Sequence, residues 1–205
     1  IAGMTASEQL EKINERTREL VTLQYNTYNR SLVPLMHQHG IVVMDAFEDL
    51  SEAQAAFVDR YFEDNVYPVL TPMAVDASRP FPLIRNKTLN IAALLSKKKG
   101  KAEKEEIEFA TVQVPSVLPR LVHIPSEDGN EKTFILLEQV IERNIDKLFL
   151  NYDVLCAYPY RVMRNADLSI DEDEAEDLLK EIEQKLKKRQ WGEVIRLDIE
   201  KKADK

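Results

Sequence analysis

Cysteine, glycine and histidine are scarce in this chain, and each shortage removes a class of chemistry. A single cysteine, Cys156, excludes an internal disulfide and points to a reducing setting. Five glycines in 205 residues leave no Gly-x-x-x-x-Gly-Lys phosphate loop and no dinucleotide-binding glycine cluster. The three histidines, His37, His39 and His123, lack partners at the spacing of a metal site or a Ser-His-Asp triad. His37 and His39 lie two apart near an expected helix end and so point in different directions, which reads as surface or capping chemistry.

Long hydrophobic runs are also missing. No stretch approaches the roughly 18 consecutive apolar residues of a membrane-spanning helix. Positive charge is not in excess either: the net charge of −8 argues against a dedicated nucleic-acid surface. The start IAGMTASEQL has no basic head and no apolar core of a secretory signal. It also lacks an initiator methionine, and with the charged end KKADK it raises the expectation of a piece of a longer protein. Asn86-Lys87-Thr88 has the form of a glycosylation acceptor, which matters only in a secreted chain, and is read here as a polar turn.

What is present is the balance of a globular protein, 44% apolar and 31% charged. Leu10, Ile13, Thr17, Leu20, Gln24, Tyr28, Leu32 and Leu35 recur at mostly three- and four-residue steps, which predicts a long amphipathic helix over 7–39. Ser7 is its expected cap, Gly40 its stop, and Pro34 the site of a kink. Ile41 to Met44 reads as a short buried strand, and Ser51 opens a second helix that ends before Pro68. The run 67–90 (YPVLTPMAVDASRPFPLIRNKTLN) holds four of the nine prolines and reads as a stiff, extended connector.

Residues 89–95 and 107–114 predict two strands around a charged tip. Residues 121–124 and 133–137 predict a second hairpin turned by Asp128-Gly129. A helix follows to near Leu150, then a strand over 154–164, a helix over 171–190 and a final alternating strand over 194–199. The acidic start of that helix, 171–177 (DEDEAED), complements the helix dipole, and its carboxylates splay too widely around the axis for a metal site. The expected fold is α+β: a helical segment over 1–65 leading into a mainly antiparallel sheet with packed helices over 66–205, with a soft boundary near Asn65.

The remaining polar groups that could carry recognition are Arg79, Arg85, Asn86, Lys87 and Asn90 in and after the connector, and Arg161, Arg164 and Asn165 at a strand end. Arginine suits planar, two-pronged recognition of carboxylate or phosphate, so the two groups would line a polyanion path if the fold joins them. With no nucleophile set beside a base, a stand-alone hydrolase or transferase is disfavoured.

The runs YFEDNVYPVLTPMAVD, RPFPLIRNKTLNIAALL, FATVQVPSVLPRLVHIP, ILLEQVIERNID and RVMRNADLSIDEDEAEDLLKEIEQKLKKRQWGEVIRLDIE resemble consecutive segments of the type-1 polyphosphate kinases. The resemblance covers nearly the whole chain, in the family's own order. It implies a head domain with its leading helix, taken from an enzyme that reversibly moves the terminal phosphate of ATP onto polyphosphate. It further implies, for the parent, ATP and Mg²⁺, a phosphorylated histidine, an interlocked dimer and a cytoplasmic setting that extends to the inner face of the membrane. The phosphoacceptor histidine and the Mg²⁺ contacts belong to C-terminal domains of that family, and none of the three histidines here stands in a matching motif. The resemblance therefore implies no catalytic residue, no metal and no cofactor in this segment. Its expected partners are the catalytic domains, a second subunit and the polymer; the alternative is an independent protein-interaction module.

Overall fold

Thr5, not Ser7, caps the first helix. Its hydroxyl accepts from the Glu8 amide while the Glu8 carboxylate accepts from the Thr5 amide, at 3.3 and 2.7 Å, so two orphan donors are satisfied together. The structure is a computed structural model describing residues 3–75, 81–97, 107–126, 129, 131–165, 192–200 and 203. Arg79, Asp128, most of the charged tip and the expected helix over 171–190 lie outside the described residues.

Helix α1 spans Ala6–Thr27, and a wider turn, Tyr28–Leu32, joins it to α2, Val33–Gln38. The Val33 amide donates to the Tyr28 carbonyl five residues back, immediately ahead of Pro34. The missing proline donor thus falls in the first turn of a fresh helix, where it costs no bond. The single kinked helix expected from sequence is in fact two helices with a π-type turn between them. None of their residues is buried, so the apolar stripe of Leu10, Ile13, Leu20 and Leu23 faces outward. Gly40, at φ 70°, ends α2, and its carbonyl accepts from the Lys132 amide at 2.7 Å.

That bond leads into a small sheet. Strand β1 (Ile41–Val43) pairs in parallel with β6 (Lys132–Leu136), which pairs antiparallel with β5 (Leu121–Ile124). Gly129, at φ 67°, supplies the left-handed residue of the β5–β6 connection. Helix α3 (Glu52–Tyr61) starts at Ser51 with Gln54 completing its capping box, and Gln54 also donates to the Pro125 carbonyl at 2.9 Å. Its Val58, with Phe62 and Val66 in the wider turn that follows, is fully buried.

The second sheet has the order β2-β4-β3-β7-β8, all antiparallel, from Pro72–Val75, Ile107–Gln113, Leu89–Lys97, Tyr152–Arg164 and Val194–Ile199. The Pro-rich connector therefore contains a strand. Pro72 opens that strand at the sheet edge, where a missing donor is tolerated. Helix α4 is Leu137–Arg143, shorter than its periodicity predicts. Asn144 leaves helical geometry, its side chain donates to the Val140 carbonyl at 3.1 Å, and a separate turn, Ile145–Leu148, follows.

One face of the larger sheet (Ile91, Ala93, Leu95, Ala110, Val112) closes on Phe62, Ile124, Ile135, Leu137 and Ile141, forming the main core between the two sheets and α3 and α4. The architecture is α+β with a mainly antiparallel sheet and a long N-terminal helix. No helix among the described residues is long and apolar enough to cross a membrane.

Candidate functional site

The two polar groups named from sequence meet at one end of the five-stranded sheet. Leu89 faces Arg161 and Asn90 faces Tyr160 across β3 and β7, so the turn 85–88 lies beside the last residues of β7. The Lys87 amide donates to the Val162 carbonyl at 2.9 Å, and the Arg164 amide donates to the Asn86 side-chain oxygen at 2.9 Å. Thr88 closes the turn through its hydroxyl, which donates to the Arg85 carbonyl at 3.0 Å. Lys87 takes φ 62°, the only positive value among the described non-glycine residues. An L-residue there is strained, so the turn is held by its surroundings.

The geometry divides these residues into inward and outward sets. Arg164 points in: its Nε donates to the Ile84 carbonyl and a terminal nitrogen to the Gly192 carbonyl, each at 2.9 Å, tying the connector to the approach of β8. Asn90 is buried, and its amide donates to the Thr88 carbonyl and hydroxyl at 2.9 and 3.1 Å. Asn86 is committed to the Arg164 backbone. Asn165 is exposed, and its amide donates to the Glu193 carbonyl at 2.8 Å.

Arg85 and Lys87 point out and are exposed. Arg161 stands between the two sets. Its side chain is 48% exposed and donates to Asp198 at 2.8 Å, a carboxylate that also accepts from Arg196 at 2.6 Å. Partial burial raises the pKa of Asp198, but the hydrogen bonds from Arg161 and then Arg196 outweigh it and hold the carboxyl below its usual range.

Next to this end lies an open cleft of about 970 Å³ between the last turns of α1, the start of α4 and β7–β8. Tyr25, Lys87, Arg120, Glu138, Tyr160 and Arg161 are among its lining residues. Arg120 grips the buried Glu138 carboxylate with two nitrogens, and that hydrogen bond raises the Arg120 pKa. On the far face of the sheet the Tyr160 hydroxyl sits 2.8 Å from that of Thr111, and burial pushes its pKa up. Sequence reasoning missed Asp198, Arg196 and the Arg120–Glu138 pair. Their partners lie 18 or more residues away, apart from Arg196 itself, and no local pattern marks them. No cluster of His, Cys, Asp or Glu among the described residues could hold a metal ion.

The α+β body, with its cationic sheet end, and the solvent-facing helical arm that precedes it each match a domain of a known multidomain family. The family model described as polyphosphate kinase middle domain matches residues 53–205, and that described as polyphosphate kinase N-terminal domain matches 1–44. The chain is 48% identical over 204 residues to a polyphosphate kinase of Lactiplantibacillus plantarum, covering 100% of this chain and 27% of the relative. It is 47% identical over 199 residues to one of Halalkalibacterium halodurans, covering 97% and 28%. A crystal structure of polyphosphate kinase from Porphyromonas gingivalis superimposes with TM-score 0.65 at 24% identity, over 89% of this chain and 30% of that one, which establishes the likeness of fold. The chain belongs to the polyphosphate kinase family, with sequence of its N-terminal and middle domains, and spans about a quarter of the length of these curated relatives.

Proposed function

We propose that this chain serves as the non-catalytic head of a polyphosphate kinase, shaping the path of the polymer and the contacts between subunits. The parent enzyme would transfer the terminal phosphate of ATP reversibly to polyphosphate, using Mg²⁺ and a phosphorylated histidine supplied by its catalytic domains. Its setting would be cytoplasmic, with a peripheral place at the inner face of the membrane. The observation that carries this reading is the outward pair Arg85 and Lys87 on a turn pinned from behind by Arg164 and Val162. A preformed cationic turn binds a polyanion without first paying to order a loop.

The test is a titration of the chain with long polyphosphate at rising salt. Contacts that neutralise polymer charge weaken with ionic strength. Arg85→Glu is expected to weaken binding and flatten its salt dependence; affinity unchanged by that reversal would overturn the polymer-path reading. Arg164 is unsuited to the same test, because its guanidinium holds two backbone carbonyls. Purified alone, the chain is expected to form no polyphosphate from ATP and Mg²⁺, and measurable turnover would remove the non-catalytic assignment.

A further inference from the structure

The open cleft beside α4 has one wall that belongs to the helical arm. Gln24 and Tyr25 of α1 border it, while Arg120, Glu138, Lys87 and Arg161 border it from the body. Tyr25 and Tyr28 stand three residues apart and so share a face of the helix.

The arginine across from them is held in place from behind. The Leu137 amide donates to the Arg120 carbonyl at 2.7 Å, which ties the residue ahead of β5 to the first residue of α4. Glu138 lies in the first turn of α4, where the helix dipole favours a carboxylate, and its side chain is only 6% exposed. It takes Nε and Nη2 of Arg120, yet the Arg120 side chain stays 64% exposed. The guanidinium is thus fixed in direction and open to the cleft. Its pKa responds first to the Glu138 hydrogen bond, which raises it against the opposing effect of burial. Tyr28 and Tyr25 then act in the same direction, so both phenols stand within electrostatic reach.

We infer that the helical arm is a lid over this cleft, turning at Gly40 to bring Tyr25 and Tyr28 onto the Arg120 guanidinium. None of the residues of α1 or α2 is buried, so a small rotation breaks no core contact. The backbone tie to the body begins at the Gly40 carbonyl, which accepts from Lys132, and continues in the three pairs of β1. His39, at φ −96° and ψ 17°, and Gly40, at φ 70°, have already left helical geometry, and such element ends are where a hinge absorbs rotation. A phenol offers an exposed guanidinium an electron-rich ring face and an acceptor oxygen.

A modest turn is enough. At about 1.5 Å per residue, Tyr25 stands about 22 Å from Gly40 along the arm, so a rotation of about 13° carries it about 5 Å. Closure narrows the approach to Lys87 and Arg161, which line the same cleft. An exposed cation–phenol contact favours the closed position about two- to fivefold, so both positions are populated. The inference rests on the arm and Arg120 alone and needs no polymer.

Pulsed electron paramagnetic resonance on this chain tests it. In a Cys156→Ser background, one nitroxide is placed at Thr22→Cys on the exposed arm and another at Val117→Cys, 79% exposed beside the cleft wall. Two distances about 6 Å apart are expected, the shorter belonging to the closed lid. Tyr25→Ala with Tyr28→Ala is expected to lower the population at the shorter distance at least about twofold, and Arg120→Gln to do the same. All three changes together should add nothing, because each removes the same contact. A single distance, or a distribution that the tyrosine variant leaves unchanged, overturns the inference. So does an Arg120→Gln chain whose urea midpoint falls while its distances stay as in the parent, which would make Arg120 merely structural. Should Arg120→Gln fail to fold with Glu138 left unpaired, the tyrosine variant still decides, since it alters only the exposed arm.

Discussion

Replacing Arg164 by alanine separates a structural arginine from a ligand-binding one. The side chain makes two bonds, to the Ile84 and Gly192 carbonyls, both part-buried and both at 2.9 Å. A hydrogen bond to a charged group contributes about 1.5–3 kcal/mol, and partial exposure lowers that, so the pair should be worth roughly 2–4 kcal/mol. With a urea slope of about 2 kcal/mol/M, the unfolding midpoint should fall by about 1–2 M. The assay is urea denaturation followed by circular dichroism, run beside a polyphosphate titration under conditions where both proteins are folded. Affinity of the folded variant should change little. A midpoint shift worth under about 0.5 kcal/mol together with a large loss of polymer binding would refute the reasoning, because it would place the guanidinium on the ligand.

Other perturbations test separate parts of the structure. Lys87→Gly removes a charge and relieves the positive φ, so it should raise stability by about 1 kcal/mol while weakening polymer binding; a destabilised variant would show that the lysine stem packs. Phe62→Ala empties a fully buried site in the main core and should cost about 3–5 kcal/mol by denaturant titration. Asp59 accepts from Arg143 at 2.8 Å, and that bond holds its carboxyl below the usual range against the opposing effect of burial. Its contribution is present above the unfolded value near pH 4 and is lost as pH falls through the lower folded value. Thermal melts of Asp59→Asn should therefore lose less stability than wild type below about pH 4.

Much of the fold is legible locally. Ser51 with Gln54 announces its own capping box, Gly40 and Gly129 sit where a left-handed residue is needed, and the alternation over 194–199 marks a strand. What sequence could not give is pairing at a distance. Nothing in Ile41–Val43 names β6, some 90 residues later, as its parallel partner, and nothing in the proline count separates an extended connector from an edge strand. The site was legible to the same degree. Residue type picked out Arg85, Lys87, Arg161 and Arg164, but direction depends on neighbours. Arg161 meets Asp198 on a strand 37 residues on, and Arg164 turns inward because two carbonyls await it. Helix α1 carried the opposite lesson: its apolar stripe predicts helix correctly without saying what, if anything, covers it.

The helical arm joins the rest of the chain at a three-residue parallel strand and the Gly40–Lys132 bond, its Gln24 and Tyr25 border the open cleft beside Arg120, and it places no side chain in the core. Melting of α1 and α2 therefore removes nothing that Phe62, Ile124 or Ile141 rests on. Amide protons in the arm should exchange long before those of β3 and β4, as two cooperative units on one chain with the seam at Gly40.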